Sequence, residues 1–346
     1  MVRCPLHPVL ANKHVTPPPP PPLGVYDYGL SDTYTIGDGP ASPLWLDGWL
    51  QWNEEMWGLT AERVCYCPQN KEVPKLEGVL YINNKGQVEM PPRNPYLPFI
   101  FTTSGTNRPE RVYNQYLELM GYFSDDLKRR GIRGQIALPV GFLDARPFQW
   151  KGFITDMRYT FMQKLPLEKN QMANQIKNKI NKSIKSGYSI VRSCDWDSIV
   201  ECLETRGNDK GFSHHTDAAA LSRCAELLGN DSFLGYIGYD SNGKPVAGGL
   251  RLMVKEGIVI AWSQGAITEH LKNGINQLIY DYVLNDVYNM GAKIFDWAGA
   301  NIPPVALAKS AWGPSLVPYI TIQEKNMRYA VRTILSVTKS LFKKAV

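Results

Sequence analysis

Gly248-Gly249-Leu250-Arg251-Leu252-Met253-Val254, a Lys255-Glu256-Gly257 turn and Ile258-Val259-Ile260-Ala261-Trp262 open the stretch that decides the fold. The first run alternates apolar residues and the second is β-branched, so both read as strands. From about Gly274 to Met290, apolar Ile275, Leu278, Ile279, Tyr282, Val283 and Val287 recur at helical spacing. Gly291 stops that helix, and Ala292-Lys293-Ile294-Phe295-Asp296-Trp297-Ala298-Gly299-Ala300 reads as a further strand. Strand, loop, helix, strand is a βαβ signal. A Pro303-Pro304 turn leads on to Ala308-Lys309-Ser310-Ala311-Trp312-Gly313 and a last strand around Val317 to Ile322.

Outward from this stretch the alternation of helix and strand continues. Helices are expected at about 168–186, 195–205 and 217–228, and strands at 234–239 and 246–254. The first half opens with Ser42-Pro43, an N-cap and an N1 proline, before a helix with Leu44, Trp45, Trp49, Leu50, Trp52, Met56 and Trp57. That cluster is either a core-facing helix face or a stacking surface. Strands within 61–104, a hairpin turn at Asn83-Asn84-Lys85-Gly86, a helix at 109–130 and strands at 134–139 and 152–165 complete it. The order predicts an α/β protein of two similar halves in tandem, with one continuous domain as the alternative. The expected divisions are a proline-rich leader at 1–40, domains at 41–165 and 166–324, and a basic segment at 325–346.

At 346 residues and 44% hydrophobic content, the chain is long enough and apolar enough for two cores. No apolar run of membrane-spanning length occurs, nor a secretory leader pattern. The cysteines, at 4, 65, 67, 194, 202 and 224, form no metal-binding spacing. Reduced thiols and a cytoplasmic location are therefore expected. The net charge is +6, and Lys325, Arg328, Arg332, Lys339, Lys343 and Lys344 account for all of it. A global basic field is thus excluded, and any nucleic-acid contact must rest on local patches. Val331, Ile334, Leu335, Leu341 and Phe342 make the basic C-terminal segment amphipathic, suited to an anionic membrane face, to RNA or to packing on the body. Pro17–Pro22 predicts a polyproline spacer or a docking ligand.

Three segments carry a family resemblance. They are Lys179-Ile-Asn-Lys-Ser-Ile-Lys-Ser-Gly187, the strand Gly291–Ala300, and Ala308–Gly313 with the nearby Pro318-Tyr319. Asp144–Trp150 and Tyr159-Thr160-Phe161 add to them. Over residues 42–324 the ordered set resembles the Fem-type aminoacyltransferases and their FemAB-like relatives. These are built from two tandem GNAT-type (acyl-CoA N-acyltransferase-like) domains, each a mixed sheet flanked by helices. The resemblance implies a transferase that moves an aminoacyl group from aminoacyl-tRNA to an amine of a cell-wall, sugar or peptide acceptor. The helical arm of some Fem enzymes is missing here, and the proline leader is not part of the family pattern.

The resemblance further implies that peptide N–H groups where two parallel strands part, 258–263 and 293–297, stabilise the oxyanion. It places Lys309, on a loop, at the ester or oxyanion, Asp296 at the attacking amine and Tyr319 at the leaving oxygen. Each has a plainer alternative: a surface lysine, a structural ion pair, a core aromatic. An acyl-CoA donor would need a glycine-rich loop before the helix. Of Leu271-Lys272-Asn273-Gly274-Ile275-Asn276 only Gly274 fits, with Asn276 beside it, so aminoacyl-tRNA is the preferred co-substrate and acyl-CoA the alternative. Lys179, Lys182 and Lys185 oppose an apolar face of Met172, Ile176, Ile180 and Ile184, and would hold a tRNA backbone or lie solvated. Arg146 would position an anionic substrate or pair with Asp144, and Trp297 would contact substrate. His214-His215 offers a base or a loop cap, and no metal site or tightly bound cofactor is expected. A third possibility is a non-catalytic binding module of this fold.

Overall fold

The computed structural model describes residues 35–68, 73–106, 108–210 and 216–325, excluding the side chains of 206–210. The leader with its proline run, the His214-His215 pair and the basic segment after Lys325 lie outside the described residues. The chain forms two units interleaved along the sequence. Among the described residues, one holds 35–37, Leu59–Met157 and 319–325; the other holds Asp38–Gly58 and Arg158–Pro318. The units are therefore not the contiguous halves expected on either side of residue 165.

In chain order the elements begin with β1 (Thr35–Gly37), α1 (Asp47–Trp57), β2 (Thr60–Tyr66), β3 (Lys75–Ile82), β4 (Val88–Glu89) and β5 (Phe99–Thr102). Then come α2 (Pro109–Arg130), β6 (Ile132–Arg133), β7 (Gln135–Ala137), α3 (Arg146–Trp150), β8 (Ile154–Lys164), α4 (Asn174–Lys185) and β9 (Ser189–Arg192). Next are α5 (Trp196–Lys210), α6 (Ala218–Leu228), β10 (Phe233–Tyr239), β11 (Pro245–Met253), β12 (Ile258–Ala266) and α7 (Thr268–Leu271). The last are α8 (Ile275–Asn289), β13 (Ile294–Asp296), α9 (Pro303–Ser310) and β14 (Ser315–Gln323).

The first unit builds a sheet in the order β1-β5-β3-β4-β6, with β2 also on β3. Val88 pairs Ile132 in parallel, and the other registers are antiparallel. Leu119, Met120, Phe123 and Leu127 of α2 are fully buried, as their helical spacing requires.

The second unit's sheet runs β8-β13-β12-β11-β10-β9. Its pairs are antiparallel except β12 with β13, which is parallel, as α8 between them dictates. β10, β11 and β12 are buried almost throughout, so their sequences are near-continuous apolar runs. The Trp-rich helix belongs here rather than to a first domain. Trp49 and Trp52 of α1 stack at 5.0 Å and meet Trp262 of β12 edge-on at 5.4 and 5.5 Å. The Trp52 indole N–H donates to the Ala220 carbonyl at 2.8 Å. The core reading of this cluster is the structural one. Burying each such ring contributes about 2–3 kcal/mol.

Two further expectations change. Pro303-Pro304 does not make a turn; the prolines occupy the first turn of α9, where their missing N–H groups cost nothing. Ile184, expected on the inward face of α4, is 57% exposed, while Met172, Ile176 and Ile180 are buried. Among the described residues no helix is long and apolar enough to cross a membrane.

Candidate active site at the parting of two parallel strands

β12 and β13 pair over three positions, Ile258 with Ile294, Val259 with Phe295 and Ile260 with Asp296. β13 then ends while β12 runs on to Ala266, so the strands part. Beyond the last pair with β12 the chain stays on β8, which β13 already pairs. The Trp297 amide donates to the Phe161 carbonyl at 2.9 Å and the Ala300 amide to the Tyr159 carbonyl at 2.8 Å. Between them Ala298 adopts φ +52°, a left-handed conformation for a residue with a side chain.

Asp296 holds this turn. Its Oδ1 accepts from the Thr160 hydroxyl at 2.6 Å and from the Ala298 amide at 2.8 Å, and it is 1% exposed. Lys309 closes the segment. It stands in the last turn of α9, not on a loop, and its Nζ donates to the carbonyls of Trp297 (2.5 Å), Ala298 (3.2 Å) and Gly299 (2.8 Å). An ammonium has three N–H donors, and all three are taken. Burial draws the Lys309 pKa down to about 8; the Asp296 charge opposes that shift and the Arg251 charge adds to it.

Sequence reasoning missed Asp38. Burial, then the charge of Asp296, pushes its carboxyl up to about 7. A group so poised exchanges protons near neutrality. Its signal was the Gly37-Asp38-Gly39-Pro40 turn, which was read as the end of the leader. Also missed was Arg251, 0% exposed, whose guanidinium lies over the Tyr280 ring.

Lys309, Asp296 and Trp297 thus converge. Trp297 is core rather than an open substrate contact: it is 1% exposed, with its ring against Tyr280, Phe295 and Trp312. Tyr319 and Arg146 belong to the first unit. Tyr319 is buried edge-on against Tyr96 at 5.0 Å. Arg146, at the start of α3, is exposed and takes its plainer alternative, pairing with Asp144 at 2.8 Å and reaching the Tyr113 hydroxyl at 2.6 Å.

Lys179, Lys182 and Lys185 line the exposed face of α4. Lys182 also donates to the Lys272 carbonyl at 3.1 Å. Gly274, at φ +86°, caps α8 so close to α4 that a Cβ there would lie 2.3 Å from the Lys179 carbonyl oxygen. Gly274 is thus a close-packing joint between α8 and α4, with the half-buried Asn276 beside it. A cleft of about 350 Å³ between α8 and β9, lined by Tyr188, Ser189, Asp281, Tyr282, Asn285 and Asp286 among others, contains none of these residues. Among the described residues no three His, Cys, Asp or Glu side chains group as metal ligands.

No protein-family model matches the sequence, and no curated protein is similar to it in sequence. Solved structures are similar in fold. FemX superposes with a TM-score of 0.55 at 13% identity, covering 80% of this chain and 90% of FemX. A protein of unknown function from Bacteroides thetaiotaomicron gives 0.54 at 13% identity, covering 83% and 93%. The C-terminal domain of a protein described as a lysylphosphatidylglycerol synthetase, from Agrobacterium fabrum, gives 0.53 at 9% identity, covering 87% and 92%. The chain therefore has the α/β fold of the Fem-type, GNAT-like proteins that its sequence resembles.

Proposed function

We propose that the protein is an acyltransferase that forms an amide bond, moving an aminoacyl group from aminoacyl-tRNA to an amine of a cell-wall, sugar or peptide acceptor. The observation that carries this reading is the parting of β12 from β13 after Ile260 and Asp296, with Lys309 anchored beside the opening. Amide formation needs a neutral amine, a positioned carbonyl and dipoles aimed at the oxygen that becomes negative. The amine nitrogen attacks the ester carbonyl carbon. The C–N bond forms, the ester C–O bond breaks, and the ribose oxygen leaves with a proton.

Asp38 is the group fitted to take the amine's proton near neutrality. Lys309 acts by position: it locks the 297–299 carbonyls away from the opening, so the negative ends of those dipoles do not face the developing oxyanion. The departure of Leu271–Asn276 from a glycine-rich phosphate loop and the exposed α4 lysines favour a tRNA-borne donor. The likeness in fold to FemX agrees with that preference.

The test offers pools of charged tRNA and of acyl-CoA in parallel to a panel of amine acceptors and reads acceptor mass. Aminoacyl adducts from tRNA are expected. Adducts from acyl-CoA alone would overturn the donor assignment, and adducts from neither would overturn the activity.

A further inference from the structure

We infer that Arg251 anchors a carboxylate-binding site beneath the parting of β12 and β13, for a carboxylate carried by one of the two substrates. The inference rests on the transferase reading only for which substrate brings the carboxylate. Arg251 is fully buried in β11, opposite a register shift between Leu250 and Leu252 where the extra residue lies on β12. Its guanidinium has five N–H donors. Nη1 gives both of its hydrogens, to the Leu250 carbonyl at 2.8 Å and the Ser263 carbonyl at 2.7 Å. Nη2 gives one, to Gln264 Oε1 at 2.7 Å. The Nε hydrogen and the second Nη2 hydrogen have no acceptor.

A buried guanidinium normally meets a carboxylate. Here every acceptor is neutral, and Arg251 makes no ion pair among the described residues. Nearby Asp286 is engaged by Arg192 at 2.7 Å and by the Tyr236 hydroxyl at 2.8 Å.

The surroundings add donors rather than acids. Arg251 lies 5.1 Å from the Tyr280 ring centre and 5.9 Å from that of Phe295. Trp297 packs on the same two rings, at 4.8 and 5.2 Å. The buried Trp297 Nε1 and Gln264 Nε2 likewise have no acceptor. The unpartnered acceptor in this region is Gln277 Oε1, on the turn of α8 before Tyr280.

A guanidinium with two N–H groups to spare, an indole N–H and an amide NH₂ match a planar, two-oxygen acceptor. Gln264 is half-buried, and its amide oxygen on Nη2 holds the place that a substrate oxygen would take. Gly249 leaves room for this contact, since a Cβ there would lie 2.6 Å from Gln264 Oε1 and 3.2 Å from Arg251 Nη1.

The test is thermal unfolding of the full chain with L-glutamate, L-aspartate, L-glutamine or L-asparagine, for wild type and for Gln264→Glu. At saturation the acids are expected to raise Tm by about 3 °C and the amides by less than about 1 °C. Gln264→Glu supplies the carboxylate internally. It is expected to unfold at a higher temperature than wild type and to lose the response to added acid. Equal responses to acids and amides, or an undiminished acid response in Gln264→Glu, would overturn the site. Turnover then assigns the source. A preference of about tenfold or more for tRNA charged with Asp or Glu over Asn or Gln places the carboxylate on the donor. The same preference for an acceptor with a free over an amidated carboxyl places it on the acceptor. If amides form from neutral donors and neutral acceptors as fast as from acidic ones, the inference fails and the transferase reading stands. If the acids bind and no amide forms, the reading fails and the site stands.

Discussion

In the first unit Arg130 of α2 forms a two-pronged pair with Glu62 at 2.8 Å for each prong and a further bond to Asp126 at 3.0 Å. Tyr66 donates its hydroxyl to the same Asp126 at 2.9 Å. Burial alone would raise the Asp126 carboxyl, but the Tyr66 hydroxyl and Arg130 outweigh it and hold it below the usual range. In the second unit Arg251 is buried with no acid, Lys309 is bonded to three carbonyls, and Asp38 is displaced toward neutrality. Charges that find their partners make a scaffold. Arg251 without a carboxylate and Asp38 beside the charge of Asp296 are the groups that anion recognition and proton transfer would use.

The largest expected effect tests the scaffold side. Arg130→Met removes the two-pronged partner of half-buried Glu62 and one partner of buried Asp126, which keeps Tyr66 and Arg129, and should cost about 2–4 kcal/mol in urea unfolding. Arg251→Met strands no acid, only neutral acceptors, and should cost less than about 2 kcal/mol. Equal losses would erase the contrast between the units.

The next effect is on turnover. Lys309→Met frees three carbonyls at the strand end and lets the 297–299 turn relax. Amide formation should fall about 100-fold or more, for a stability loss of about 1–3 kcal/mol. Activity within about threefold of wild type would make Lys309 a turn fastener and nothing more.

How this site relates to the sequence depends on which link of the argument is asked. The βαβ unit was legible because strand and helix periods differ and Gly291 marks the helix end. Asp296 and Lys309 were legible only through resemblance, since nothing in their spacing says that Lys309 reaches back to the 297–299 carbonyls. Asp38 was not legible. It precedes the second unit's first helix and lies far along the chain from Asp296, and its pKa shift comes from burial that no local pattern reports. Arg251 looked like the polar member of an alternating strand; it is buried because both faces of β11 are covered, which a strand's own pattern does not report. The interleaving of the units escaped for a similar reason, because periodicity says what an element is and not which core it joins.

The two carboxyls, Asp126 and Asp38, should tilt stability in opposite directions with pH. The Asp126 pKa is depressed, so its contribution is present above the unfolded value of 3.8 and is lost as pH falls. The Asp38 pKa is raised from 3.8 to about 7, so its contribution is full below about pH 4 and is lost as pH climbs to 7. Asp38→Asn should therefore flatten the fall in stability between pH 4 and 7 and leave a variant more stable than wild type at pH 8 by about 1–3 kcal/mol. In turnover it should remove the acidic limb of the pH–rate profile near pH 7. An unchanged limb would assign the proton transfer elsewhere.

The smallest effects belong to the α4 lysines, whose charges face water. Lys179→Ala and Lys185→Ala should change stability by less than about 0.5 kcal/mol, because neither side chain is buried. Lys182→Ala should cost about 0.5–1.5 kcal/mol, since its ammonium also tethers the Lys272 carbonyl where α4 meets the start of α8. Against tRNA the order need not follow stability. Each phosphate contact removed should lower the slope of log affinity against log salt by about 0.7–0.9. A slope reduced by all three variants, with stability reduced only by Lys182→Ala, separates the stripe's electrostatic part from its packing part. A slope that none of them moves means that the lysines only solvate α4, and an RNA donor must then be held by another surface.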